Sequence, residues 1–107
     1  LILLIALSGC ADKLSVINHN ANLVKYVPGK YDCRSFVDAK YKALISEGYK
    51  DSDIKFVITA YENEPHVVLN VNGMILDNLR EIPYPATRNL QNGLTYKTWN
   101  YYRTKGV

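Results

Sequence analysis

The chain has 107 residues, enough for one small domain. It is 48% hydrophobic and 21% charged, has no repeat or low-complexity tract, and so belongs with ordinary globular proteins. The formal charge is only +3, and Lys and Arg are scattered, so nothing argues for nucleic acid as a partner.

The first seven residues, LILLIAL, form a short apolar run. It is too short to cross about 30 Å of hydrocarbon as a helix, but it fits the core of a secretory signal. Leu7-Ser8-Gly9-Cys10 resembles the bacterial lipobox. That resemblance implies that residues 1–9 leave as a signal peptide and that Cys10 is lipidated. An exported protein, anchored to a membrane and facing the periplasm or cell surface, would follow. The chain has two cysteines. In an oxidising compartment Cys10 and Cys33 could pair; a lipidated Cys10 could not. Residues 10–28 are polar and rich in Asn, and are expected to form a lipidated N-terminus and tether. An irregular or extended piece is expected at Leu23–Val27, stopped by Pro28-Gly29. His19 is expected to be solvated. The remaining residues, 29–107, are expected to form the folded domain.

Tyr31 to Gly48 reads as one helix. Asp32 suits the N-cap, because its carboxylate accepts free N–H groups of the first turn. Gly48 suits the stop. Cys33, Phe36, Val37, Tyr41, Leu44 and Ile45 follow the spacing of a single face. Cys33 stands at the N-terminal end of that face, where the helix dipole favours thiolate.

Asp53–Tyr61 alternates and reads as a strand, followed by a turn at Glu62-Asn63-Glu64-Pro65. Next come HVVLNV, Asn72-Gly73 and MILDNL. Asn-Gly between apolar runs signals a hairpin with a type I′ turn. With Val71 and Met74 flanking the turn, Val68 faces Asp77 and His66 faces Leu79. Alternation then puts His66, Val68, Ile75, Asp77 and Leu79 on one side of the hairpin. Val67, Leu69, Val71, Met74 and Leu76 take the other. His66 and Asp77 become diagonal neighbours, roughly 7–8 Å apart at Cα and within reach of a hydrogen bond. Two polar groups on an apolar face need such a partner, because burying them unpaired costs a few kcal/mol.

Residues 80–94 read as a surface loop. Thr95–Arg103 alternates again and reads as a last strand, half-buried, with Lys97, Trp99, Tyr101 and Arg103 on one face.

Cys33, His66 and Asp77 are thus the candidate catalytic residues. A His beside the thiol takes its proton and later protonates a leaving group; a carboxylate behind the His fixes its tautomer. The segments around them are Asp32-Cys33, Ala39-Lys40, Leu44 and Gly48, then His66-Val67-Val68-Leu69, then Ile75-Leu76-Asp77-Asn78-Leu79. Together they resemble the bacterial transglutaminase-like cysteine proteinase family, which includes the LapG-like periplasmic proteases. The resemblance covers about residues 29–79. It implies an α+β, papain/transglutaminase-like fold with one main helix on a small antiparallel sheet. It also implies a thiol hydrolase or acyl transferase acting on an amide bond of a protein or peptide. Cys33 would be the nucleophile, His66 the base and Asp77 the orienting acid. The Cys33 backbone N–H is a candidate oxyanion donor. Calcium in LapG-like proteins is linked to acidic residues after the Cys. Arg34 and Ser35 stand there in this chain, so no cofactor is expected. No metal is expected either, since two His and one available Cys, far apart, lack zinc spacing.

Two other functions fit parts of the sequence. NlpC-type cell-wall peptidases also place Asp-Cys at a helix start, which Asp32–Val37 resembles. A catalytically inactive surface lipoprotein could instead bind a partner through its Tyr-rich face.

Overall fold

The computed structural model describes residues 10–28, 30 and 32–105. Among them the chain forms three helices, α1 (Cys10–Asn22), α2 (Cys33–Ser46) and α3 (Tyr96–Thr104). Four strands, β1 (Ile54–Tyr61), β2 (Glu64–Val71), β3 (Met74–Leu76) and β4 (Tyr84–Pro85), form one antiparallel sheet in sequence order. The coarse α+β expectation of a main helix on an antiparallel sheet is met. The proposed signal peptide at 1–9 and the lipobox residues Leu7-Ser8-Gly9 lie outside the described residues, as does the Cys10 side chain.

α2 forms where the sequence places it. Asp32 accepts from the Arg34 N–H at 3.1 Å, and Gly48 closes the helix at φ +97°. The Tyr49 N–H then reaches back to the Leu44 carbonyl at 3.0 Å, so the last turn keeps its acceptors satisfied. The buried stripe is Phe36, Val37, Lys40 and Leu44. It differs from the expected face at two places: Ile45 is exposed and Lys40 is fully buried.

The hairpin register is the expected one, with Val71 opposite Met74 and Leu69 opposite Leu76. Asn72 and Gly73 both take positive φ, as a type I′ turn requires. The two faces pack as alternation predicts. Phe56, Val67, Leu69, Val71 and Leu76 meet Val37 and Leu44 of α2, while Val57, Val68 and Ile75 pack with Leu90 on the opposite side.

Two segments depart from the sequence expectation. Residues 10–22, read as part of a tether, form helix α1, and Leu14 and Ile17 enter the main core. The stripe of Leu14, Ile17, Asn18, Ala21 and Asn22 follows helical spacing, but its two Asn residues hide it from a hydropathy count. Thr95–Arg103, read as a strand, forms α3 instead. Thr95 caps it by accepting from the Thr98 N–H at 3.2 Å. Tyr96, Trp99 and Arg103 then share one face, three and four residues apart. Trp99 stacks on Phe56 at 5.3 Å and donates its indole N–H to Asp38, which also pairs with Arg103 at 2.6 Å. In nine residues rich in aromatics, period two and period 3.6 both fit, and these contacts decide for the helix. The loop at 80–94 carries the short strand β4 and a 3-10 turn at Arg88–Leu90.

Candidate active site

The site forms at a place where the sheet is left incomplete. The Phe56 N–H and C=O both bond Leu94 at 2.8 Å, so this edge of β1 faces away from β2. Leu69, opposite Phe56, must therefore turn its own N–H away from β1 and toward β3. Val67, two residues earlier, does the same. But β3 pairs only with Leu69–Val71 and ends at Leu76, so no strand reaches the Val67 N–H. The N-terminus of α2 fills that place, and the Val67 N–H bonds the Cys33 sulfur.

His66 adjoins this N–H and hydrogen-bonds Cys33 from its side chain. Its Nε2–H donates to Asp77 Oδ1 at 2.8 Å, which leaves Nδ1 as the nitrogen for the thiol. Both side chains of the His66–Asp77 pair are about nine-tenths buried. Asp77 is held in turn by the Leu79 N–H and the Tyr84 hydroxyl, each at 3.0 Å. The structure thus brings Cys33, His66 and Asp77 into one hydrogen-bonded row. Cys33 is a free, half-buried thiol.

The electrostatics of the row point one way. The hydrogen bond from His66 holds the Cys33 thiol below its ordinary pKa against the opposing effect of burial, and the Val67 N–H adds to it. Its hydrogen bond to Asp77, then that to Cys33, pushes His66 up to about 9. Burial alone would raise Asp77, but the bonds from His66, Leu79 and Tyr84 outweigh it and keep the carboxyl below its usual range. Together these shifts favour a thiolate–imidazolium pair over the neutral thiol and imidazole.

Four supporting residues were given no role in the sequence reading. Tyr84 comes from the segment read as loop. Lys40 counts as polar in any periodicity scan, yet it is fully buried, and the Asp77 charge acts on it. Asn18 and Asn22, one helical turn apart on α1, tie down the segment after Asp77. Asn18 donates to the carbonyls of Arg80 and Glu81 at 2.7 and 2.9 Å, and Asn22 to that of Asp77 at 3.1 Å. An Asn pair at i, i+4 was the available signal. Their amide donors are thereby occupied, so the Cys33 N–H, first in its helix and without an intrahelical acceptor, remains the oxyanion candidate. His19 takes no part: it is exposed and pairs with Glu81.

Two clefts open at the thiol and share Tyr26, Cys33, Pro65 and His66. One, of about 750 Å³, continues along Asn22, Tyr61, Glu62 and Glu64. The other, of about 660 Å³, continues along Ile58, Leu94, Trp99 and Tyr102 and is markedly apolar. Among the described residues no group of His, Cys, Asp or Glu is placed to hold a metal ion, and no helix is long and apolar enough to cross a membrane.

No protein-family model, no curated protein and no solved structure matches this chain.

Proposed function

We propose that the protein is a cysteine peptidase-type hydrolase or acyl transferase acting on an amide bond of a protein or peptide. The observation that carries this is the row Cys33–His66–Asp77 with its opposed shifts, a lowered thiol beside a raised imidazole. A helix-borne Cys facing a strand-borne His, with Asp just beyond the next strand, also fits a papain/transglutaminase-like arrangement. The two clefts that share Cys33 and His66 suit a chain passing over the thiol rather than a small ligand held in a closed cavity.

The chemistry follows from the row. The Cys33 thiolate attacks the carbonyl carbon, and the carbonyl electrons move onto oxygen, toward the Cys33 N–H. As the C–N bond breaks, the imidazolium Nδ1–H protonates the departing amine and leaves a thioester on Cys33. Neutral His66 then takes a proton from water, or from an acceptor amine, as that nucleophile attacks the thioester; the C–S bond breaks, the acid or new amide leaves, and Cys33 returns as thiolate beside imidazolium. Asp77 keeps Nε2 protonated throughout, so Nδ1 is always the nitrogen that exchanges protons. Export, with lipidation at Cys10, is part of the same proposal; Cys10→Ser would then release the protein from membranes.

The test is the pH dependence of Cys33 alkylation by iodoacetamide. A thiolate forming well below about 8.5, with that advantage lost in His66→Ala, is expected. Cys33→Ser is expected to keep the fold and to lose all turnover of a peptide library. A thiol titrating at its ordinary pKa would overturn the proposal in favour of an inactive partner-binding protein.

A further inference from the structure

Ile58 stands on the face of β1 that packs toward α2, two residues after Phe56 and opposite Val67. Phe56 and Val67 are buried there, yet Ile58 is 57% exposed. On a face otherwise closed by the core, an uncovered Ile is the position to explain. It lines the apolar cleft that opens at Cys33, together with Tyr102, which is 44% exposed. Buried Trp99 and half-buried Leu94 complete the apolar wall.

The path from the thiol to Ile58 is short. Phe56 turns its N–H and C=O to Leu94, so Phe56–Leu69 and, two residues on, Ile58–Val67 are pairs without hydrogen bonds between them. Such pairs stand about 4.5 Å apart at Cα. The Val67 N–H is the group that bonds the Cys33 sulfur. A peptide whose carbonyl meets that sulfur therefore comes level with Ile58 within two or three residues, at roughly 3.3 Å each. Charge selects the occupant as well. Asp32 and Arg34, which also line this cleft, pair with each other at 2.8 Å, and His66 is engaged by Cys33 and Asp77. Among the described residues, no charged group lining this cleft is left for a substrate side chain, whereas the other cleft presents Lys25, Glu62 and Glu64. We propose that Ile58 and Tyr102 are specificity-determining residues, which receive a large apolar side chain of the peptide substrate within three residues of the scissile bond. A cleft of about 660 Å³ has room for such a side chain together with its backbone. This inference rests on the peptidase reading proposed above.

Iodoacetamide and N-benzyliodoacetamide differ by an aromatic group that can enter the cleft, and free cysteine supplies their intrinsic rate ratio. At Cys33 of the natural chain, the benzyl reagent is expected to gain about tenfold over that ratio. Ile58→Ser and Tyr102→Ser are each expected to lose most of the gain. Ile82→Ser, which removes an exposed Ile outside the cleft, is expected to keep it. In a peptide library, the bonds cleaved by the natural chain are expected to carry Phe, Tyr, Leu or Ile at one fixed position within three residues. A benzyl ratio equal to that of free cysteine would overturn the proposal, as would a gain that survives in both cleft variants. Self-association that hides the cleft, detected by ultracentrifugation, would overturn it too. The outcome is separable from the function itself. If Cys33 of the natural chain alkylates with an ordinary pH dependence, the peptidase proposal fails. If that dependence is shifted but the benzyl gain is absent, only this inference fails.

Discussion

His66 and Asp77 lie eleven residues apart in sequence and diagonal in their hairpin, yet the imidazole Nε2 and the carboxylate Oδ1 meet at 2.8 Å. The pair is oriented from behind by Tyr84 and the Leu79 N–H, so the ring has little freedom to turn away.

Asp77→Asn should bring the pKa of His66 down from about 9 toward its ordinary value. A raised His contributes stability that is complete below the unfolded pKa of about 6.5 and is lost as pH rises through about 9. The natural chain should therefore lose His66's share of its stability across that window, up to about 3 kcal/mol. Asp77→Asn should lose much less there. Urea unfolding at several pH values, with an NMR titration of His66, checks both statements.

Asn18 is fully buried, and its amide spans two carbonyls of the segment after Asp77. Asn18→Ala should destabilise the protein by about 1–3 kcal/mol, since two part-buried hydrogen bonds from a fully buried amide are lost. Hydrogen exchange should rise first at Leu79–Glu81, ahead of the sheet. Equal rises everywhere would show that α1 supports the whole core rather than this segment.

Lys40→Met should be more stable than the natural chain near pH 7, by about 1–3 kcal/mol, because a buried charge is replaced by an apolar side chain of similar length. The sign follows from the lowered pKa. The cost of burying the ammonium is full below about 8 and disappears as pH rises from there to the ordinary lysine value of about 10.5. The advantage of the variant should shrink over that interval. An advantage independent of pH would point to packing instead of charge.

Gly93 passes close to β1: an added Cβ would lie 2.8 Å from the Phe56 carbonyl oxygen and 3.0 Å from Val57 Cγ2. Gly93→Ala should cost about 1–3 kcal/mol by forcing that backbone apart. The readout is a lower midpoint in denaturant with an unchanged slope.

The sequence was most legible where local rules and function agreed. Asp32, Cys33 and Gly48 mark α2 by capping chemistry, and Asn72-Gly73 fixes a register from which the His66–Asp77 contact follows by alternation alone. It was least legible where polar residues face inward. Asn18 and Asn22 bond carbonyls of the segment after β3, and Lys40 is enclosed by the core, so their burial depends on groups far along the chain. For the same reason α1 resembles a tether. α3 was hidden differently: its aromatic residues favour either state, and its partners, Phe56, Tyr41 and Asp38, are all distant in sequence.

The brevity of β3 has a consequence for how such a site can be lost. A strand two residues longer would offer the Val67 N–H a carbonyl and close the ladder. The sulfur would then lose a donor with none of the three reactive side chains altered. The proposed reactivity of Cys33 would then depend on a vacancy in backbone pairing as well as on the side chain of His66. A small change of hairpin length could silence it while every residue of the triad stayed in the sequence.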